Sequence, residues 1–388
     1  MNNLKIRILP QKMLTILLSF TLFIVLYLKA VHRLVINESY VVCICTVLLT
    51  IVNYNSIKLR YGNKVITIFI VITIFVIFAR FLFIHVDLES TIYDLLLMIS
   101  LLFLMCLSND VLRIILYGAM IGVICILLVW LKFQYDNGGM THIVYIGNRW
   151  GIVFFNGGII SVYLQLFKNK NIKRIILNML FWFTIITLSS SRTALIVYVA
   201  FCILLIFELI KNNLTRKKML LYSIFLLILI LFCFTFFDRI LLLLNGKWQN
   251  ATMESSIDIR LDMWNILFSK FSLFGITTDS DIYNNLYGKY GVSNFHNTFV
   301  QAYTYGAIVF TAYLALNVLC LVIGKRNIKD NSNHLIYIVL AYVGLGIFES
   351  YFVLDRTYIY AGIIFFIFAN MLANGQIINR QNSRRIKI

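Results

Sequence analysis

The chain has 388 residues, of which 61% are hydrophobic and 13% are charged, with one proline and a formal net charge of +18. A water-soluble domain rarely reaches this hydrophobicity, so the composition excludes an ordinary soluble enzyme or binding module. The basic residues lie in short clusters between apolar runs, which argues against a nucleic-acid partner and is typical of loops beside a membrane.

Apolar runs of about 17 to 25 residues recur along the chain, each long enough to cross a hydrocarbon core of about 30 Å. Such runs must form helices, because lipid cannot satisfy open backbone groups, and they are too long and uniform for barrel strands. We expect an all-α polytopic membrane protein with about twelve transmembrane helices, forming a single integral membrane domain over 1–388. The predicted spans are 13–30, 37–52, 65–86, 91–107, 111–131, 151–167, 175–190, 193–210, 219–237, 297–323, 334–353 and 357–373.

The distribution of lysine and arginine predicts the topology. With the N-terminus inside, most of the 34 basic residues fall in loops on the inner side, and most acidic residues do not. Both termini are therefore predicted to be cytoplasmic. The exceptions are predicted to share the outer face: Arg80, Arg149, Arg192, Arg260, Arg356 and His296.

Arg149 lies in YIGNRWGIVFFNGG, where a loop enters the sixth predicted span. Together with Trp150 it could belong to an aromatic belt at the membrane boundary. Alternatively, the four glycines of this segment, with Asn156, indicate a close approach of backbones. The sequence leaves both interpretations open.

Arg192 is the only charged residue between positions 175 and 207, and it follows three serines in LSSSRTALIV. An isolated arginine at a span end can be an interfacial anchor, with serines satisfying the start of a helix. The alternative is an anion cradle, in which hydroxyls and backbone N–H groups at a helix N-terminus assist the guanidinium.

Residues 238–296 form a predicted outer loop of about 60 residues between spans nine and ten, and loops of this length are usually functional or disordered. Within it, 254–271 shows the periodicity of an amphipathic helix. Arg260 is predicted at the edge of the apolar face, pointing at the membrane-embedded body. That face is predicted to comprise Ile257, Leu261, Trp264, Phe268 and Phe271.

His296 opens the tenth predicted span and is followed by Asn297. A lone histidine is often structural, but a neutral imidazole can also act as a general base near pH 7. Glu349 and Arg356 frame the last outer turn, where they could pair with each other or with Asp355, or line a cavity. Arginines suit bidentate contact with phosphate, so the outer-face set predicts a lipid-linked phosphate or pyrophosphate substrate.

Four segments between about 145 and 310 resemble, in this order, the O-antigen polymerase and O-antigen ligase superfamily (Wzy/WaaL type). They are NRWGIVFFNGG, SSSRTALIV, IRLDMWNILFSKFSLFGI and FHNTFVQAYTYGAIVF, and they flank or belong to the long outer loop. The chain departs from the family pattern before Asn156, where the family often has proline. It departs again after Phe274-Gly275, where a second glycine is usual.

The resemblance implies a metal-independent, GT-C-like integral membrane glycosyltransferase whose donor is a glycan on undecaprenyl pyrophosphate at the outer face. It implies that Arg149, Arg192 and Arg260 hold the pyrophosphate, that Arg192 also acts in catalysis, and that His296 activates the acceptor hydroxyl. No cofactor and no metal are expected. Further candidate site residues are Asn156, Asn297, Glu349 and Arg356.

The first expectation is a polymerase of O-antigen or capsular repeat units in the cytoplasmic membrane, with a lipid-linked glycan as donor and as acceptor. A chain-length regulator and a flippase would be its protein partners, and no nucleic acid is expected. The first alternative is a ligase that moves the finished glycan to a lipid A core or another acceptor. A lipid-linked oligosaccharide flippase is a second alternative, although no repeated halves are visible. A purely structural subunit would leave the outer arginines without a task.

Overall fold

The computed structural model is all-helical over the residues that it describes. The described residues are 3–32, 37–57, 64–136, 147–168, 171–189, 191–211, 253–269, 272–276, 297–327, 334–355 and 358–374. The α-helices are α1 (Asn3–His32), α2 (Glu38–Val52), α3 (Lys64–Phe83), α4 (Leu88–Met105), α5 (Asn109–Asp136), α6 (Gly147–Lys168), α7 (Ile172–Leu188), α8 (Arg192–Lys211), α9 (Met253–Phe268), α10 (Thr298–Thr304), α11 (Ala307–Asn327), α12 (His334–Phe348) and α13 (Ile359–Ala373).

Seven helices of the described part are long and apolar enough to cross a membrane, which confirms the polytopic class. Helices α2, α12 and α13 have 15 residues each, so each is about 22 Å long and shorter than a hydrocarbon core of about 30 Å. The predicted ninth span, 219–237, lies outside the described residues. The count of about twelve spans therefore stays a prediction, as does the single domain.

The described chain divides into two compact units, Met1–Val123 with Ile259–Ile388, and Ile124–Asp258. The first unit is built around α13, whose residues are all buried, as befits a helix that is apolar on every side. Helices α1, α4, α11 and α12 contact it. Tyr360 of α13 packs edge-on against Tyr27, and the amide of Asn370 donates to the carbonyl of Met105.

The predicted tenth span, 297–323, is not one continuous helix, and that prediction is wrong. Helix α10 ends at Thr304, and α11 begins at Ala307 after a turn in which Gly306 has φ +116. The carbonyl of Thr304 accepts hydrogen bonds from the amide of Ile276 and from the side chain of Arg80. A β-carbon at Gly306 would lie 2.1 Å from the carbonyl oxygen of Leu273, so only glycine fits this turn.

The second unit contains α6, α7 and α8, each of which contacts the other two. Glycines on α6 let α8 approach closely, because a β-carbon at Gly158 would lie 2.5 Å from the ring of Tyr198. Helix α7 begins at an Asn171 cap, whose side-chain oxygen accepts from the backbone amides of Lys173 and Arg174. Such a cap satisfies amides that have no partner within the helix.

Candidate functional site

Arg192 is the first residue of α8 and is half-buried. Ser191 precedes it as a helix cap, since its hydroxyl accepts from the amide of Ala194 at 3.4 Å and its carbonyl from the amide of Leu195 at 3.1 Å. Ser191 thus satisfies the start of this helix, in line with one interpretation of the sequence. Ser189 does not fit the predicted anion cradle, because it is buried and its hydroxyl donates to the carbonyl of Ile186.

Arg149 lies in the first turn of α6 and is also half-buried. Its neighbour Trp150 is buried and stacks on Phe154, with ring centroids 6.1 Å apart. A tryptophan of an aromatic belt would reach the membrane surface, so this burial argues against a boundary role. Asn156 is buried one turn further on, where its amide donates to the carbonyl of Ile152 within the same helix.

The starts of α6 and α8 meet at a glycine. A β-carbon at Gly151 would lie 2.0 Å from the β-carbon of Ser191, so the two helices touch there with no room for a side chain. This confirms the predicted close approach of backbones in the glycine-rich segment. Arg149 is two residues before Gly151, and Arg192 is one residue after Ser191. Both arginines therefore lie beside the same contact within the second unit.

Arg260 belongs to α9 in the first unit, and the predicted apolar face of this helix is confirmed only in part. Trp264 packs, as predicted, against a buried cluster of Met263, Leu267, Val300 and Tyr303. Leu261 and Phe268 of the predicted face are exposed, whereas Met263 and Leu267, which were not assigned to it, are buried. At about 100° per residue, Arg260 shares the face of Met263 and Leu267 and does not lie at its edge.

Three consecutive backbone carbonyls at the end of α12 accept hydrogen bonds from distant side chains. Nη1 of Arg260 donates to Phe348 at 3.0 Å, the amide of Asn297 donates to Ile347 at 2.8 Å, and the hydroxyl of Thr298 donates to Glu349 at 2.9 Å. The last carbonyls of a helix have no partner within it, so these contacts satisfy them and fix α9 and α10 to α12.

Asn297 has a second task as the cap of α10, because its side-chain oxygen accepts from the amides of Phe299 and Val300. The structure therefore brings together Arg260, Asn297 and the backbone of the buried Glu349. His296 and Arg356 lie outside the described residues. Thr298 was not predicted to belong to this set, although its place after an asparagine at a helix start indicates a cap.

Arg80 is a further buried arginine of the first unit, and the sequence did not assign it to the site. Its Nη1 donates to the carbonyl of Thr304 and its Nη2 to that of Ile276, both at 2.9 Å. Its guanidinium also lies 4.4 Å from the ring centroid of Tyr305. This arginine fastens the segment after α9 and the turn between α10 and α11 to helix α3.

We expect Arg80→Met to lower the free energy of unfolding by about 3 kcal/mol, because it removes two hydrogen bonds from a charged group, each worth about 1.5 to 3 kcal/mol. Thermal unfolding of the purified protein in detergent measures this loss. The control is Arg326→Met, which removes an exposed arginine from the last turn of α11. Equal unfolding midpoints in the two variants would contradict the role given to Arg80.

In the part of the chain that the structure describes, no group of three His, Cys, Asp or Glu side chains could hold a metal ion. The candidate site residues that the structure describes include three arginines, which carry positive charge. Arg149 and Arg192 lie beside one contact in the second unit, and Arg260 holds a helix end in the first. Guanidinium groups suit oxyanions, and phosphate in particular, through paired hydrogen bonds.

Residues 177–314 match the family model described as O-Antigen ligase. This match confirms the resemblance to the O-antigen ligase and polymerase superfamily, and it covers Arg192, Arg260, His296 and Asn297. No curated protein matches the chain. The comparison supports an O-antigen ligase- or polymerase-type function for a multi-pass membrane protein.

Proposed function

We propose that this chain, whose residues 177–314 match the O-antigen ligase family, is a membrane glycosyltransferase that polymerises oligosaccharide repeat units linked to undecaprenyl pyrophosphate. The observation that carries the proposal is the contact between Gly151 and Ser191, which holds the first turns of α6 and α8 together. Each of these turns carries an arginine, Arg149 in one and Arg192 in the other.

The position of these arginines is costly for the fold itself. A helix N-terminus carries a partial positive charge, so a cation there is unfavourable while an anion is stabilised. A pyrophosphate bound beside these two first turns would interact favourably with both guanidinium groups and with both helix ends.

In the proposed reaction, an acceptor sugar hydroxyl attacks the anomeric carbon of the donor glycan. The bond from that carbon to the pyrophosphate oxygen breaks, and undecaprenyl pyrophosphate leaves. His296 takes the proton from the acceptor hydroxyl, while Arg149, Arg192 and Arg260 stabilise the charge that develops on the leaving group. Asn297, which follows His296 in the sequence, caps α10.

The proposal places this chemistry at the outer face of the cytoplasmic membrane, with both termini inside. Support comes from the charge distribution, since clusters such as 168–174 and 211–218 are rich in Lys and Arg.

The glycan profile of a deletion strain tests the proposal. If the chain is the polymerase, the ladder of long glycans disappears and single capped units remain. Accumulation of long lipid-linked polymer, with none attached to its final acceptor, would identify a ligase instead. Repeat units trapped on the inner face would identify a flippase. An unchanged ladder would exclude all three functions.

A further inference from the structure

A groove of about 810 Å³ runs along α6 and α7 in the second unit. Volumes of about 300 to 1,000 Å³ are typical of sites that take small molecules. The groove is lined by Arg174 at the start of α7, by apolar side chains further along that helix, and by polar side chains of α6. None of these residues has a part in the glycosyl transfer proposed above.

The lining of α7 follows one helix face, since Arg174, Leu177, Asn178, Phe181 and Thr184 recur at the spacing of neighbouring turns. From Arg174 to Thr184 the helix rises about 15 Å at 1.5 Å per residue. That length is half of a hydrocarbon core of about 30 Å, which is the depth that one acyl chain of one leaflet occupies.

The polarity of the groove changes along this length. Arg174 is exposed at one end, and the Ser161 hydroxyl and the Asn178 amide form a hydrogen-bonded pair one turn further in. Leu177 and Phe181 are exposed apolar side chains, with 69% and 49% of their surface accessible. The groove thus combines a cationic end with polar and apolar side chains further along, and these suit the phosphate, the glycerol ester region and the acyl chain of a phospholipid.

The side chain of Gln165 indicates that the occupant of the groove also carries a hydrogen-bond donor. Its side-chain Oε1 is buried and has no hydrogen-bond partner among the described residues, although it lines the groove. A buried acceptor without a donor costs free energy. A headgroup hydroxyl beside the phosphate would supply the missing donor.

We propose that this groove is a specific binding site for an anionic glycerophospholipid with a hydroxylated headgroup, of which phosphatidylglycerol is the probe. Its phosphate pairs with Arg174, its headgroup hydroxyl donates to Gln165, and one acyl chain lies along Leu177 and Phe181 towards Thr184. The site is independent of the glycan chemistry, since it would exist equally in a polymerase, a ligase or a flippase.

Native mass spectrometry of the delipidated full-length protein, titrated with phosphatidylglycerol or phosphatidylcholine, tests the site. We expect the wild type to bind phosphatidylglycerol about tenfold more tightly, because both lipids offer a phosphate to Arg174, but the choline of phosphatidylcholine cancels that negative charge and lacks a hydroxyl for Gln165. Arg174→Gln is expected to abolish this preference. Lys173→Gln is the matched control, because it removes the same charge from the adjacent exposed residue, which does not line the groove.

A second variant tests the apolar end without changing charge. Thr184 is exposed, so Thr184→Trp can fill the groove without repacking the core, and it is expected to weaken both lipids by at least about tenfold. The proposal is overturned if the wild type does not distinguish the two lipids, or if Lys173→Gln loses as much as Arg174→Gln. Unchanged lipid binding by Thr184→Trp would equally contradict it.

Discussion

Arg192→Ala is expected to abolish glycan polymerisation in cells while the protein still inserts into the membrane. The substitution removes a guanidinium that the proposal places against the leaving pyrophosphate, and losing one such preorganised donor typically slows a reaction about 100- to 1,000-fold. The ladder of glycans on a gel, compared at equal amounts of membrane-inserted protein, measures the effect. Arg192→Lys keeps the charge but not the paired geometry, so it should retain partial activity.

Two further variants separate a local role from a general loss of charge. Arg326→Ala removes an exposed arginine at the end of α11 and should leave the ladder unchanged. Arg149→Ala should resemble Arg192→Ala, since both arginines lie beside the contact of Gly151 with Ser191. A normal ladder from Arg192→Ala would remove this residue from the reaction and reduce it to an interfacial anchor.

Gly151→Ala is expected to lose both stability and polymerisation, although it adds only a methyl group. The new carbon would lie 2.0 Å from the β-carbon of Ser191, so α6 and α8 must move apart. Overpacking of this kind typically costs about 1 to 3 kcal/mol. The thermal unfolding midpoint in detergent reports the first loss, and the glycan ladder reports the second.

The control for this substitution is Gly122→Ala in α5, where the added carbon would lie 3.3 Å from the ring of Tyr27 and needs only a small adjustment. The double variant Gly151→Ala with Ser191→Gly removes the clashing atoms and should recover part of both losses. If Gly151→Ala behaves like Gly122→Ala, the close contact between the two helix starts does not position the arginines.

Hydropathy predicted most of the helices because their formation depends on local sequence. Helices α7 and α8 lie within three residues of the predicted spans 175–190 and 193–210. The placement of Arg192 at the start of a helix followed from the same pattern. The close contacts of α6 were also indicated by local sequence, because four glycines in one short segment of a membrane helix are typical of close helix packing.

The break between α10 and α11 could not be predicted in this way, because no proline and no charged residue interrupts the sequence from 297 to 323. The break depends on Arg80, which is 224 positions from Thr304 in the sequence. Its guanidinium donates a hydrogen bond to the Thr304 carbonyl at the end of α10. The face of α9 was predicted only in part for a similar reason. Periodicity indicated the face that includes Trp264, but contact with the distant Val300 and Tyr303 buries Met263 and Leu267.

The most direct test of the proposed polymerase is a reaction with purified components. The detergent-solubilised wild-type protein is given only the lipid-linked repeat units extracted from the deletion strain, with no other acceptor. The account predicts lipid-linked products of two or more repeat units from the wild type and none from Arg192→Ala. Single units left unchanged by a folded wild-type protein would contradict it, and a transfer that begins only when a separate acceptor is added would identify a ligase.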